Sequence, residues 1–156
     1  MLKRRFFTVP VVVAVLTIVP AESQASAIGY RYWGGFAVNV SAGGGGVSAS
    51  TPVRVPGGQL THEISGNGLY VTWDAADYMS VGNLCEPSIR FTYGYGKVHI
   101  DGGVHPGCSH AGVWKYWMKR RMPQGTACAQ LWIEGWRRMV TQQCHFVSTG
   151  GWHWHW

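Results

Sequence analysis

The sequence predicts an all-β protein, an antiparallel β-sandwich of six to eight strands held by two disulfides. Three observations support this class. Apolar and aromatic residues alternate with small or polar residues along several short runs, which is typical of strands with one buried face. Glycine-rich turns separate these runs. The four cysteines form two pairs, each placed symmetrically about a predicted turn, so that each pair would close a hairpin.

The first 27 residues have the three parts of a secretory signal peptide. Residues 1–5 are positively charged, residues 6–20 are apolar, and Ala25-Ser26-Ala27 is a small-residue cleavage site. The apolar run is too short to span a bilayer. We therefore expect residues 1–27 to be removed, with cleavage after Ala25 as the alternative, and the protein to be secreted and extracellular, where disulfides persist.

The chain after the signal peptide is one domain in length and mildly basic. Removing three of the thirteen Lys/Arg and one of the seven Asp/Glu leaves ten and six, a formal charge of +4. Such a charge favours an anionic partner without selecting one. A cell-envelope polymer or a membrane surface fits better than nucleic acid, and no protein partner can be named from the sequence.

Residues 28–58 have the composition of a glycine-rich arm or linker, with a run of glycines at 43–46. We expect at most one edge strand there, near residues 35–40. The predicted disulfide-stapled β domain covers residues 59–147, and residues 148–156 form a Trp/His tail. The first hairpin of the domain turns at residues 65–68, and His62, on its apolar side, is interpreted as a core histidine rather than a ligand.

The predicted hairpin at residues 85–108 turns at Gly96-Lys97, because glycine suits the first position of a two-residue loop. This register brings apolar residues to one face and Cys85 opposite Cys108. The predicted pairs are Tyr95 with Val98, Tyr93 with Ile100, Phe91 with Gly102, and Ile89 with Val104.

A second hairpin pairs Cys128 with Cys144, which are equidistant from Trp136. In this register Ile133 faces Met139. Both sides of the hairpin are partly apolar, so we expect it to be central and covered on both faces. The other two disulfide connectivities stay open at this point. Metal binding by the cysteines is disfavoured because no C-x-x-C spacing is present.

Residues 113–121 are the most basic run of the chain. As a strand, the run is interpreted either as a sandwich strand entering a solvated basic loop or as a cationic and aromatic patch for an anionic surface. The tail either docks on the sheet or contacts a partner. The candidate binding residues are Trp114, Lys115, Trp117, Lys119, Arg120, Arg121, Trp152, Trp154 and Trp156.

No catalytic motif for a hydrolase or a nucleotide-binding enzyme is present, so the sequence favours a non-enzymatic protein. The outer face of the 85–108 hairpin is the best catalytic candidate, since histidine with a nearby cation can cleave RNA by general acid–base chemistry. The alternative is a solvated face with an Asp101–Arg90 pair. The residues of this hypothetical ribonuclease site are His99, His105, Arg90 and Lys97.

Five histidines raise the question of a metal. Three lie in a segment rich in glycine and proline (His99, His105 and His110), and two lie in the tail (His153 and His155). Imidazole binds zinc or copper well. We nevertheless expect only adventitious surface binding, because His105 and His110 lie outside the predicted ladder with no evident Asp or Cys ligand beside them, and we predict no metal or cofactor.

The cysteine contexts carry a family resemblance. The segments Leu60-Thr-His-Glu-Ile-Ser-Gly, Leu84-Cys-Glu-Pro-Ser-Ile-Arg-Phe-Thr-Tyr, His105-Pro-Gly-Cys, Ala127-Cys-Ala-Gln-Leu-Trp and Gln143-Cys-His-Phe resemble a group of small secreted actinobacterial four-cysteine proteins of unassigned function. The resemblance covers residues 60–147 and implies export and a compact β domain. It implies no catalytic residues. Export, glycine and aromatic content and an aromatic C-terminus also resemble lactococcin-972-type bacteriocins.

We therefore predict a secreted, non-enzymatic binding protein that engages an anionic or carbohydrate-rich cell-envelope surface through aromatic and basic residues. A bacteriocin-like antibacterial toxin is the first alternative, and a small secreted ribonuclease is the second.

Overall fold

The computed structural model describes residues 25–42 and 49–154, and within them the chain is almost entirely extended. These residues contain eleven strands and one short 3-10 turn, so the all-β prediction is confirmed. The strands are β1 (Ala25–Trp33), β2 (Phe36–Ala42), β3 (Ala49–Val55), β4 (Gly58–Asn67), β5 (Tyr70–Cys85), β6 (Pro87–Tyr93), β7 (Val98–Val104), β8 (Cys108–Arg121), β9 (Gly125–Ile133), β10 (Arg138–Ser148) and β11 (Gly151–Trp154), with the 3-10 turn at Glu134–Trp136.

Two antiparallel sheets pack face to face as a sandwich. The first sheet has the order β1-β4-β5-β8, the second has the order β11-β10-β9-β6-β7, and β2 pairs with β3 in a separate hairpin. Both sheets contribute to one core, in which Leu60 and Ile64 of the first sheet and Phe91 and Leu131 of the second are fully buried. Each sheet therefore keeps one outward face, and a binding site has to be sought there.

Residues 28–42 and 49–58 are not the arm or linker that their composition predicted, and their strands raise the strand count above six to eight. β1 pairs with β4 over its whole length, and β2 pairs with β3. Val38 and Val55 of that hairpin join the core. β1 also begins inside the predicted signal peptide, whose residues 1–24 lie outside the described residues, as do the glycines at 43–46.

The Cys85–Cys108 disulfide is confirmed, but its place in the fold differs from the prediction. The two cysteines are partners in the β5–β8 ladder of the first sheet. Glu86 and Gly107, both with positive φ, then carry the two chains across to the second sheet, and the Glu86 amide donates to the Gly107 carbonyl at 2.7 Å. The disulfide thus ties two chain segments together where they cross between the sheets.

The β6–β7 hairpin turns through residues 94–97 rather than through Gly96-Lys97 alone, since Tyr93 pairs with Val98. Next to the turn the pairing differs from the predicted register by two residues. A shift of two keeps Phe91, Tyr93, Val98 and Ile100 on the predicted face because strand sides repeat every two residues. Tyr95, however, lies in the turn and Val104 pairs with Ser88, and both are exposed, so their predicted burial is wrong. Gly94, Tyr95 and Gly96 all have positive φ, and this consecutive set, with a non-glycine in its middle, was not recognisable as a turn from the sequence.

The second disulfide, Cys128–Cys144, is also confirmed. The two cysteines are direct partners, and the predicted register holds from the Leu131–Thr141 pair to the Gly125–Val147 pair, away from the turn. An irregularity between Met139 and Thr141 shifts the pairs beside the turn by one residue. β9 lies between β6 and β10, and β10 between β9 and β11, so the hairpin is central as predicted. Its outward side is not covered, since Gln142 is exposed and Trp132 is half-buried.

Residues 151–154 of the tail dock through their backbone on the second sheet, which is the first of the two alternatives predicted for the tail. β11 pairs with β10, with Trp152 opposite Val147 and Trp154 opposite His145. Trp156 lies outside the described residues. No helix in the described part of the chain is long and apolar enough to cross a membrane.

Candidate functional site

The outward face of the first sheet carries large side chains of a kind that proteins usually bury. The ladder registers align its four strands, so that residues on the same side form rows across the sheet. We call this surface the aromatic face. Its four rows are Ser26, Ser65, Trp73 and Trp117; Ile28, Glu63, Ala75 and Lys115; Tyr30, Thr61, Asp77 and Val113; and Tyr32, Gln59, Met79 and Ala111.

Several of these side chains are strongly exposed. Tyr30 and Tyr32 are 62% and 68% exposed, Trp117 is 59% exposed and Val113 is 75% exposed. The two tyrosine rings lie edge to face, with centroids 5.8 Å apart. Extended apolar patches are uncommon on soluble monomers and mark interaction sites. The aromatic face is therefore the candidate functional site.

The reversed pattern of β1 explains why this face forms. The inward residues Ala27 and Gly29 are small and buried, whereas the outward residues Ile28 and Tyr30 are large and exposed. β1 lies close to β10 and β11 of the opposite sheet, so a large inward side chain has little room there. The usual rule that the bulkier side of an alternating strand faces the core thus assigns β1 to the wrong orientation.

A cluster of aromatic and cationic groups occupies the β8 margin of the aromatic face. Trp73 and Trp117 are direct cross-strand partners. The Lys115 ammonium lies 4.2 Å from the centroid of the Trp73 ring and 5.0 Å from that of Trp117, and the Lys119 ammonium lies 5.7 Å from the Trp117 ring. The cations are held in place by the negative faces of the indole rings.

A bulge decides which way the basic end of β8 faces. Two residues of β8, Met118 and Lys119, lie opposite the single residue Thr72, and Lys119 has a φ of 47°. The extra residue changes the side on which the following residues lie. Arg120 consequently pairs with the buried Val71, while Arg121 pairs with the exposed Tyr70.

Trp114 has to be removed from the predicted binding residues. It is only 9% exposed, packs beside Tyr78 in the core, and donates from its indole N–H to the Gly103 carbonyl at 3.1 Å. Lys115, Trp117 and Lys119 of the same predicted set are exposed, in contrast to Trp114.

The four residues of the hypothetical ribonuclease site do not converge. His99 and Lys97 lie at the turn end of β7, and His105 follows the other end, about 20 Å away for six extended residues. The His105 ring lies near Trp114, with centroids 6.4 Å apart. One phosphate group cannot contact both histidines over such a distance.

Arg90, the fourth of these residues, belongs to a neutralised pair on the second sheet. Its Nη2 donates to both carboxylate oxygens of Glu134, at 2.8 and 2.9 Å. Its guanidinium also lies 4.3 Å from the Trp132 ring centroid, and Ser88 donates to the same carboxylate. The predicted Asp101–Arg90 pair does not form, and Asp101 instead accepts from the Gly103 amide.

Among the described residues, no three His, Cys, Asp or Glu side chains gather in a way that could hold a metal ion. The histidines named above as possible metal ligands include His155, which lies outside these residues.

The sandwich interior holds a polar network that joins the two sheets. His62 and Asp74 of the first sheet are fully buried and form an ion pair, with Nε2 and Oδ1 2.8 Å apart. His62 Nδ1 lies 3.1 Å from the Gln143 carbonyl of the second sheet. Since both ring nitrogens face oxygen acceptors, the geometry fits a doubly protonated imidazolium beside an ionised Asp74.

Two further groups complete this core network. The Tyr93 hydroxyl donates to the other carboxylate oxygen of Asp74. Burial raises the pKa of that hydroxyl, the neighbouring Asp74 charge raises it further, and the tyrosine therefore stays a donor. His145 Nε2 lies 3.1 Å from the His62 carbonyl, and the two rings are 4.7 Å apart. These groups are buried and fit a structural role in joining the sheets.

The environment of His145 makes stability depend on pH. Burial lowers the pKa of His145 to about 4, and the neighbouring His62 charge acts in the same direction. An unfolded histidine titrates near pH 6.5. Between about pH 6.5 and about pH 4 the unfolded chain therefore binds more protons at this position, so stability falls as the pH falls through that window.

The replacement His145→Gln should remove most of this pH dependence. The wild-type protein is expected to lose up to about 3 kcal/mol through this group between about pH 6.5 and pH 4. Glutamine keeps a donor for the His62 carbonyl but does not titrate. Urea unfolding at several pH values measures the difference, with the exposed His99→Gln as the matched control. Parallel pH profiles for wild type and His145→Gln would contradict the assignment.

Protein-family models, curated proteins and solved structures contain no significant match to this chain. The resemblance to secreted four-cysteine proteins and to bacteriocins stays a prediction, and function has to be argued from the residues themselves.

Proposed function

We propose that this protein is a secreted, non-enzymatic binding protein that engages carbohydrate of a cell envelope through its aromatic face. The observation that carries the proposal is the exposure of Tyr30, Tyr32 and Trp117 on one side of a single sheet. A rigid sheet presents these rings at a fixed spacing, so little conformational entropy is lost when a ligand binds.

Carbohydrate fits this surface because sugar rings have apolar faces of C–H groups that pack on aromatic rings, and polar edges that need hydrogen-bond partners. The face offers both, since Thr61 and Gln59 lie directly beside Tyr30 and Tyr32 in their rows, and Glu63 lies beside Ile28 in the next row. A polymer laid over an open sheet needs no deep pocket. The two disulfides agree with an oxidising environment outside the cytoplasm.

Binding to protein-free bacterial cell walls tests the proposal. Wild-type protein should co-sediment with the walls, and the triple variant Tyr30→Ala/Tyr32→Ala/Trp117→Ala should lose at least about tenfold in affinity, since stacking contacts contribute about 1 kcal/mol or more each. Tyr95→Ala is the matched control, because Tyr95 is as exposed as Tyr32, at 68%, but lies on the β6–β7 turn. This control should bind as wild type does.

Two results would overturn the proposal. One is wall binding that the triple variant retains. The other is the absence of wall binding together with a dimer in light scattering that the triple variant abolishes, which would assign the aromatic face to a second copy of the chain. Circular dichroism of each variant separates loss of binding from loss of folding.

A further inference from the structure

Resting on the proposed function, we infer that the ligand of the aromatic face is a sugar polymer carrying sparse anionic groups, anchored along β8 by Lys115, Lys119 and Arg121. We call these three residues the cationic edge. They lie on β8, which is the edge strand opposite β1 in the first sheet of the described residues.

The cationic edge differs from the Arg90–Trp132 pair in its charge balance. Arg90 stacks on Trp132 at 4.3 Å and is neutralised by Glu134. Lys115 is held at 4.2 Å from Trp73, yet the ion pairs of the described residues are only His62–Asp74 and Arg90–Glu134. Lys115 and Lys119 therefore keep positive charges that are oriented by indole rings and paired with no carboxylate among the residues described. Such charges are available to an anion.

The acidic residues of the same face restrict where an anion can lie. Glu63 is in the same row as Lys115 but two strands away, at about 10 Å. Asp77 is a diagonal neighbour of Lys115 on β5, at about 7–8 Å between backbones. Both would repel negative charge over the middle of the sheet. The anionic groups of the ligand are therefore expected to lie along β8, over about 20 Å from Lys115 to Arg121.

The low overall charge favours such a ligand over a nucleic acid. A formal charge of +4 after removal of the predicted signal peptide is small for a partner with one phosphate per nucleotide, and Glu63 and Asp77 add repulsion. A sugar polymer with one carboxylate or phosphate every few sugars matches the spacing of the cationic edge. Either acid group satisfies the inference, and the probes below distinguish them.

The experiment compares partly methyl-esterified polygalacturonate, which has one free carboxylate every few sugars, with the fully esterified polymer, which has the same sugar backbone without the charge, and adds a sparsely phosphorylated dextran as the phosphate probe. The wild-type protein should bind at least one anionic polymer about tenfold more tightly than the neutral ester, with an affinity that falls as salt is added. The tighter of the two anionic polymers identifies carboxylate or phosphate.

The double variant Lys115→Gln/Lys119→Gln should lose this preference and keep its affinity for the ester. Lys97→Gln/Arg138→Gln is the matched control, because it removes two exposed charges outside the first sheet, and it should behave as wild type. A second variant, Lys119→Gly, removes one charge at a position whose positive φ favours glycine. It should weaken anion binding without loss of stability.

Each contrary result has a separate meaning. Equal affinity of wild type for the acid polymer and the ester, an unchanged double variant, or an equal loss in the control overturns this inference while the proposed function stands, provided that the triple aromatic variant loses binding. Tighter binding of single-stranded DNA or RNA than of any sugar polymer also overturns it. Failure to bind any polymer and any wall overturns both proposals together.

Discussion

Asp74→Ala should lower the free energy of unfolding by about 3–5 kcal/mol, the largest single-residue effect we expect in this protein. The Asp74 carboxylate is fully buried and accepts from His62 on one oxygen and from Tyr93 on the other. Removing it leaves a buried imidazolium without its counter-charge and a buried hydroxyl without its acceptor. Urea unfolding at neutral pH, followed by tryptophan fluorescence, measures the loss.

The matched control is Asp77→Ala, which removes an exposed carboxylate from the same strand and should change stability by less than about 0.5 kcal/mol. A double-mutant cycle with His62→Leu should recover part of the Asp74→Ala loss, since the leucine removes the stranded charge. A cost below about 1 kcal/mol for Asp74→Ala, or additive effects in the cycle, would contradict the buried ion pair.

The buried pair also illustrates what the sequence could and could not predict. His62 was recognisable as a core histidine because it alternates with Leu60 and Ile64. Asp74 was not recognisable as its partner, because the predicted hairpin placed it just beyond the strand. In the structure β5 continues to Cys85. β5 also has a one-residue bulge opposite the step from Ser65 to Gly66 of β4, and this bulge sets the register in which Asp74 faces inward.

The aromatic face was half predicted. Lys115, Trp117 and Lys119 were predicted as binding residues because residues 113–121 read as a strand and form the most basic run of the chain. Tyr30 and Tyr32 were missed first because residues 28–58 were predicted to be an arm rather than a strand. A strand pattern would in any case say which residues share a side but not which side faces the core. That choice depends on the close approach of β1 to the second sheet, a tertiary effect with no local signal.

The two disulfides were predictable for a reason unrelated to strand detail. A disulfide requires only that two cysteines lie close together in the fold. Symmetric spacing of the cysteines about a turn predicts this proximity even when the turn type is predicted wrongly. The Cys85–Cys108 pair met although the β6–β7 register differed by two residues near its turn. One residue of the difference is recovered at the irregularity between Ser88 and Arg90, where glycine at positions 102 and 103 allows the opposite strand to follow. The other is recovered between the Ser88–Val104 pair and the Cys85–Cys108 pair.

Removal of either disulfide should destabilise the protein by about 3 kcal/mol, chiefly because the unfolded chain gains freedom when a closed loop of this length opens. The double variant Cys85→Ser/Cys108→Ser opens a bridge between residues 23 apart, and Cys128→Ala/Cys144→Ala opens one between residues 16 apart. The second loss should be somewhat larger. Cys128 is only 7% exposed, so its replacement also removes packing, whereas both cysteines of the first bridge are exposed.

The position of the first bridge gives its removal a local signature as well. Because Cys85–Cys108 ties the two segments that cross between the sheets, amides of β6 and β7 should exchange faster with solvent in Cys85→Ser/Cys108→Ser than in Cys128→Ala/Cys144→Ala at matched global stability. Urea unfolding and hydrogen exchange provide the two measurements. Stability losses below about 1 kcal/mol, or identical exchange patterns in both variants, would mean that the crossing segments are held by sheet packing alone.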